Sequence, residues 1–585
     1  MRVAALPQPG RLMLGDAGAR IRLAPIPLLV SVAVAVLIVP VLIVVLLASL
    51  HEGAALPFDA VPLTLANYVS LLQDPFTYRL LLNTVLYVAA SLSLAMLLTV
   101  PLVWLVQRSD LPGKALITTI MQVSLVIPPI LIIMGWVLLL GPRTGFVNVG
   151  LRQLLGQPVA GPNASGPLNI YSFVALFLVT GVGIAPSMYF MLSAAFRNMD
   201  SRLEEVGQTS GGSVLAVARR VTLPLMAPSL AAAAMYYVML LFETFEVPLV
   251  IGPNANFQVL SIYVYELVRP QSMAPQYGQA AAFGTMMILA SLLLAAFYAK
   301  MTRRVYKFAI VRGHRADGSL IGLGAWKYAV LGAVGLYVLL AQGLPLLGIL
   351  WDSLFTSVAQ PSAASLGQVS LNMYGLVFQD SRWGAAIANT IGLVVAASAG
   401  SVLLALLVSW VVLRAKVSWL WWLDGLAFLP RAVPGVILAL GVFLLLIRTP
   451  LYATVWIIAV GHVIAYLPYC VRLMSSTLVQ LHPEMEEAAQ TSGAGTVRTF
   501  RAVVLPLMGP AIWNCCLWVT SHSVRDFTFP LVLGATTNTV VAQLLWETWL
   551  RGQQERTSAM AVMLLAAVAL LTLPARSFVT RSQSA

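Results

Sequence analysis

Five charged side chains lie inside long apolar stretches of this sequence: Glu243, Glu246, Arg431, Arg525 and Asp526. On insertion scales a charge in hydrocarbon costs about 2.5–3.5 kcal/mol, so such residues pair with one another or face a polar cavity. Glu243 and Arg525 occupy equivalent positions of an internal repeat whose copies are offset by 282 residues. Equivalent positions face one another across a pseudo-twofold axis, which predicts a Glu243–Arg525 ion pair joining two halves. Beyond pairing, Glu243, Glu246 and Asp526 could line a path for a cationic or metal-bearing solute. Arg431 and Arg525 suit an anion equally well. Pro248 and Pro530 should bend the chain beside these charges. Tyr236, Tyr237 and Tyr263 could add oxygen donors, although tyrosine in such a stretch more often serves packing. His462 and His522 are expected to bond neighbouring helices rather than ligate a metal. The 21 methionines are scattered, and no metal site is assigned.

Covalent chemistry has no candidate residues. A phosphate-cradling loop needs GxxxxGK followed by Ser or Thr. The one Gly-Lys pair, Gly113-Lys114, is followed by Ala115 and has no suitable preceding glycine. The zinc-helix, nucleophile-elbow and paired-carboxylate patterns are missing from the polar segments. Cys470, Cys515 and Cys516 sit in apolar runs, and neighbouring cysteines on one helix diverge, which argues against a structural disulfide.

The most informative polar stretch occurs twice. Glu486–Pro510 reads EEAAQTSGAGTVRTFRAVVLPLMGP, and Glu204–Pro228 reads EEVGQTSGGSVLAVARRVTLPLMAP, identical at 13 of 25 positions. Acidic residues suit the first turn of a helix, Gly211 and Gly493 permit a sharp turn, and Leu223-Pro224 and Leu505-Pro506 mark the return to an apolar run. Each copy therefore predicts a short helix–turn–helix at a membrane surface, shaped to dock a partner.

The elements that carry these residues are set by composition. The chain is 59% hydrophobic and 9% charged, with a mean hydropathy of +0.89, whereas soluble domains carry about 25% charged residues. About 20 apolar residues cross a bilayer, and such runs fall near 24–50, 79–107, 115–140, 168–196, 225–251, 278–300, 327–351, 384–413, 419–447, 453–474, 508–533 and 557–575. Backbone groups in lipid must be satisfied internally, which favours helices. The expectation is an all-α integral membrane protein of twelve transmembrane helices in two parallel six-helix repeats. With the N-terminus inside, 24 of the 34 basic residues fall on the cytoplasmic side, as the positive-inside rule requires. The net charge of +13 is thus a topology signal, and no nucleic-acid partner is expected. The organisation reads as a cytoplasmic N-terminus at 1–25, a first half at 26–300 with its loop at 200–224, and a basic linker at 301–326. A second half at 327–585 has its loop at 482–506. Repeat landmarks include Asn83-Thr84 and Asn389-Thr390, which should bond between helices, and Pro128 and Pro434. The first half has 24 extra residues, best placed in the outside loop 141–167.

The pattern Glu-Ala-Ala-x3-Gly-x9-Ile-x-Leu-Pro resembles the cytoplasmic signature of binding-protein-dependent ABC importer permeases. The second copy supplies Glu487, Ala488, Ala489, Gly493, Val503, Leu505 and Pro506. The first supplies Glu205, Val206, Gly207, Gly211, Val221, Leu223 and Pro224, with Val-Gly in place of Ala-Ala. The resemblance covers nearly the whole chain in the fused, double-length form. It implies the type I ABC importer transmembrane fold and an ATPase-coupling role for both loops, with Glu204 and Glu486 beside the motif glutamates. It also implies two copies of a cytoplasmic ATPase that uses ATP, an extracytoplasmic substrate-binding protein, and residence among the lipids of the bacterial inner membrane. No cofactor of the chain's own is expected. The segments FETFEVPLVIG and RDFTFPLVLG look most like ferric-iron permeases; thiamine, polyamine and aminoethylphosphonate permeases share much of the pattern. The rival reading from another class is an ion-coupled secondary transporter, which needs no paired loops of fixed spacing.

Overall fold

The computed structural model describes residues 25–158, 165–200, 202–270, 273–308, 321–415 and 420–584. The N-terminal segment, the middle of the basic linker and the tip of the 141–167 loop lie outside these residues. Among the described residues the chain is helical throughout. Eight helices are long and apolar enough to cross a membrane, and three bent pairs bring the spans to eleven.

Numbering the spans alone, the first half holds α1 (Ile26–Ser49), α2 (Pro75–Arg108), α3a and α3b (Lys114–Ser124 and Pro129–Leu140), α4 (Phe173–Asn198), α5 (Val214–Phe242) and α6 (Tyr277–Thr302). The second half holds α7 (Trp326–Asp352), α8 (Ser381–Arg414), α9a and α9b (Trp422–Ala432 and Gly435–Leu446), α10 (Val455–Gln480), and α11a and α11b (Thr496–Leu507 and Gly509–Arg525). A helix at Gln554–Ser584, α12, lies where the twelfth span is expected.

Continuous helices were expected at 115–140 and 419–447, and both are broken instead. α3 bends by 95° and α9 by 107°. The cause is local: Pro128-Pro129 and Pro434 lack the N–H of a continuing helix, and their rings clash with the preceding turn. The expected spans 225–251 and 508–533 also stop early. α5 ends at Phe242, and the chain turns before the short helix Glu246–Ile251. α11b ends at Arg525, before Thr528–Leu533. Both short helices are buried almost end to end. The intramembrane charges sit at three of these four interruptions: Glu243 and Glu246 at the end of α5, Arg431 at the break in α9, and Arg525 and Asp526 at the end of α11b.

Among the described residues, three wide turns with i→i+5 bonding occur, at Ala218–Thr222, Leu339–Gly343 and Phe500–Val504. Each immediately precedes a Leu-Pro pair: Pro224, Pro345 and Pro506. A proline inside a helix evicts one i→i−4 bond, and a wider turn takes up the slack.

The halves embrace reciprocally. α1 packs on α9b of the second half, and α7 packs on α3b of the first. A glycine at each crossing allows the approach. A Cβ on Gly135 would lie 2.4 Å from the Pro345 carbonyl oxygen, and one on Gly441 would lie 2.7 Å from that of Val41. Small residues at crossings let helix backbones meet in lipid, where van der Waals packing replaces the hydrophobic drive.

Candidate functional site

Each duplicated loop folds as a short helix, a glycine turn and a second helix that runs into the next span. Arg202–Thr209 and Glu484–Thr491 are the first helices. Gly211 and Gly493 turn the chain with φ of +85° and +86°, a left-handed conformation open to glycine and costly for other residues. Leu223-Pro224 and Leu505-Pro506 follow the wide turns already described.

The two glutamates of each copy have different positions. Glu204 and Glu486 are buried, although the sequence grouped them with the docking residues. Arg108 at the end of α2 pairs with Glu204 at 2.8 Å, and Arg414 at the end of α8 pairs with Glu486 at 2.7 Å. Each arginine also donates to two carbonyls where the preceding span ends: Phe196 and Met199 in the first half, Leu478 and Leu481 in the second. Trp410 Nε1 and Thr222 Oγ1 complete the two carboxylates. A buried carboxylate needs such partners, so Glu204 and Glu486 anchor the loops from within. Glu205 is half-buried, and Glu487 is exposed. Gly207 lies beneath Val217, whose methyls would be 3.1 Å and 3.3 Å from an added Cβ.

The second feature is a central cavity of about 970 Å³ between the halves. All five intramembrane charges line it, together with Gln122, Gln342, Asn514 and Trp518. The predicted Glu243–Arg525 pair does not form. Glu243 Oε1 accepts from Arg431 Nη1 at 2.8 Å, because the break in α9 carries Arg431 across to the end of α5. Arg525 instead donates to the Leu125 carbonyl at the break in α3, and its Nη2 lies 3.2 Å from His522 Nε2. His522 Nδ1 is 2.8 Å from the Trp518 carbonyl. One neutral tautomer satisfies both contacts, with Nδ1–H donating and Nε2 accepting. His522 also stacks on Trp518, which stacks on Tyr469, each at 3.8 Å between centroids. Asp526 Oδ2 is 3.1 Å from His462 Nε2, and His462 Nδ1 is 3.1 Å from Ser523 Oγ. His462 therefore bonds the neighbouring span, as expected, whereas His522 bonds within its own helix, to the Trp518 carbonyl and Arg525. Of the tyrosines, Tyr237 donates to Ser187 Oγ, Tyr236 sits under Arg431, and Tyr263 packs edge-on against Phe76 and Phe283.

The repeat landmarks hold the starts of two later short helices, Leu260–Val268 and Val541–Leu550. Asn83 Nδ2 donates to the Gln258 carbonyl and Asn389 Nδ2 to that of Thr539. Thr84 and Thr390 accept from the backbone of Leu260 and Val541. An apolar, multi-span chain with paired surface loops and a charged internal cavity thus has the layout of a conduit.

The sequence matches a family described as binding-protein-dependent transport system inner membrane component, at residues 100–307 and 413–584. The chain belongs to that family. One match falls in each half, so the permease unit occurs twice. The chain is similar to a probable ABC transporter permease, y4fN, of Sinorhizobium fredii, with 26% identity over 81% of each chain. It is also similar to the Fe(3+)-transport system permease FbpB 2 of Haemophilus influenzae, with 21% identity over 86% of this chain and 90% of the relative. The molybdenum permease ModB of the same organism is 27% identical over 38% of this chain and 94% of its own length. A solved bacterial ABC transporter that imports alginate superposes on 43% of the chain with a TM-score of 0.36 and 17% identity.

The sequence reading of the permease missed several residues. Gly135 and Gly441 carried a signal, since they lie 306 residues apart, as do Pro128 and Pro434. Arg269 gave none, being one loop arginine among several. It reaches from the first half to the Val532 and Gly534 carbonyls of the second and lies 5.3 Å over Phe443. Asn148 in the extra loop is fully buried and binds the backbone of Leu140, Gly141 and Leu168. The described part of that insertion is therefore folded around one amide. Asp59 and Arg448 join the halves again between spans, where the Leu56 N–H and the guanidinium hold the Asp59 carboxyl below its ordinary range.

Proposed function

We propose that this permease is the membrane pathway of an ATP-driven importer whose cargo is ferric iron, delivered by an extracytoplasmic binding protein. Two copies of a cytoplasmic ATPase would seat on the loops around Glu205 and Glu487, with both chain termini on the cytoplasmic side. The observation that carries the cargo reading is the charge of the cavity. Three carboxyl groups, those of Glu243, Glu246 and Asp526, face two guanidiniums, those of Arg431 and Arg525, around the cavity wall. Such a wall favours a cation, since like charge repels an anion from a low-dielectric cavity. The name of the Haemophilus ferric permease, matched over most of both chains, agrees with this reading.

ATP changes the pathway by moving the loops. Closure of the ATPases would draw the two loop helices together, and the Arg108–Glu204 and Arg414–Glu486 anchors would pass that motion to α2, α4, α8 and α10. The chain has to bind cargo only transiently, so an incomplete ligand set suits a conduit. The test is uptake of radiolabelled ferric iron, molybdate and sulfate by cells expressing the permease with its cognate ATPase and binding protein. ATP-dependent accumulation of iron alone is expected. Accumulation of an oxyanion without iron would overturn the cargo reading.

A further inference from the structure

Two contacts between the halves share one geometry. Glu243, at the end of α5, meets Arg431, at the break in α9. Arg525, at the end of α11b, meets the carbonyl of Leu125, at the break in α3. Glu243 and Arg525 are equivalent by the 282-residue offset, and Leu125 and Arg431 by the 306-residue offset that also relates Pro128 to Pro434. Both contacts therefore join the end of the fifth span of one half to the break in the third span of the other.

Their position in the cavity is also specific. Asn514, Trp518 and Ser521 line the cavity on the coupling-loop side of Arg525. Eleven residues of helix separate Asn514 from Arg525, about 16 Å at 1.5 Å per residue. On the far side the cavity reaches Val247, Thr528 and Phe529, and the remainder of the short helices Glu246–Ile251 and Thr528–Leu533 is buried. The contacts thus mark the boundary between a polar chamber and a packed apolar closure.

We propose that these contacts are the two pins of a gate, which hold the halves together at the end of the cavity remote from the coupling loops. They must part for cargo to enter from that side. The proposal rests on the transport reading. Each pin spans the interface along which the halves would separate, and each ties a helix end to a proline break, where the backbone can pivot. The pins are unequal. The first is an ion pair and depends on two side chains. The second depends on the Arg525 side chain alone, because Leu125 contributes only its backbone. Glu246, Asp526 and His522 also face the second pin and help to set the field around Arg525.

The test uses the full permease, reconstituted in proteoliposomes with its ATPase and binding protein. Cys470, Cys515 and Cys516 are replaced, and Glu243→Cys and Arg431→Cys are introduced together. A reducible bifunctional thiol reagent should then stop uptake, and reduction should restore it. The cross-linking yield should fall about fivefold or more when binding protein and a non-hydrolysable ATP analogue are both bound, the lower range of typical allosteric coupling. Uptake by locked protein at the unlocked rate, or a yield indifferent to nucleotide, would overturn the gate. A second arm exchanges the charges. Glu243→Arg alone should abolish uptake, and Glu243→Arg with Arg431→Glu should recover much of it. No recovery in protein that elutes as the same monodisperse complex would count against the gate. Leu125→Ala should leave uptake unchanged, and Arg525→Ala should reduce it about tenfold or more. Equal effects of these two would sink the second pin. If wild-type protein takes up no solute with ATP and binding protein, the transport reading fails. Nucleotide-dependent cross-linking still reports on the gate in that case.

Discussion

Glu486 and Glu487 are neighbours with opposite exposures, and this separates anchoring from docking. Glu486 shares a buried network with Arg414 and Trp410. Its replacement by alanine leaves the guanidinium without its carboxylate and should cost about 3 kcal/mol of stability. Glu487 points outward, so Glu487→Ala should change stability by less than about 0.5 kcal/mol while weakening association with the ATPase. Thermal melts in detergent and co-purification with the ATPase measure the two effects separately. Equal melting losses would remove the distinction. The first copy adds an asymmetry. Gly207 replaces the second alanine of the motif and lowers helix propensity by about 0.5–1 kcal/mol relative to Ala, but the Val217 methyls occupy the space a side chain would need. Glu205 is also half-buried. Charge reversal at Glu487 should therefore impair uptake more than reversal at Glu205, measured by initial rates at matched expression.

At the scale of elements, glycines govern how closely the halves interlock. Gly135 meets the Pro345 backbone, whereas Gly332 in α7 has open space around its missing side chain. Gly135→Ala must push α7 away or strain α3b, at a cost of about 1–3 kcal/mol. Gly332→Ala should be neutral or slightly stabilising, since alanine favours helix. Fluorescence-detected unfolding of the two variants gives the comparison, and indistinguishable midpoints would refute the close crossing. The same elements show what was legible in the sequence. Apolar length locates the spans, because a bilayer imposes one length on every helix that crosses it. The paired loops are legible because polar residues stand out against hydrocarbon. The breaks in α3 and α9 were less so: Pro128 and Pro434 were visible landmarks, but hydropathy is blind to direction, and a bent pair sums to the same apolar run as a straight helix. That blindness displaced the predicted ion pair. With straight spans, repeat equivalence sets Glu243 opposite Arg525. With broken ones, each fifth-span end reaches the third-span break of the other half, and Glu243 finds Arg431.

For the whole molecule, reciprocal packing of α1 and α7 means that neither half completes its own core. The fused chain should therefore behave as two interlocked subunits joined by a covalent tether. Where the linker ends, Ile321 exchanges backbone hydrogen bonds with Arg108 and Asp110 of the first half, and the Leu323 N–H donates to Asp110. A cut on the N-terminal side of residue 321 leaves these contacts with the second fragment, so they still hold it to the first. Fragments 1–314 and 315–585, co-expressed, should assemble, because α1 on α9b, α7 on α3b, Arg269 on Val532 and Asp59 on Arg448 all cross between them. The tether supplies only effective concentration, and confinement to one membrane replaces part of it. Uptake should stay within about tenfold of the fused chain. Each fragment alone should expose the apolar faces that the other covers, and be degraded or aggregate. Affinity capture of a tag on the first fragment, probed for the second, decides the matter. Stable, separately purifiable halves would show that the embrace is dispensable and that the linker holds the permease together.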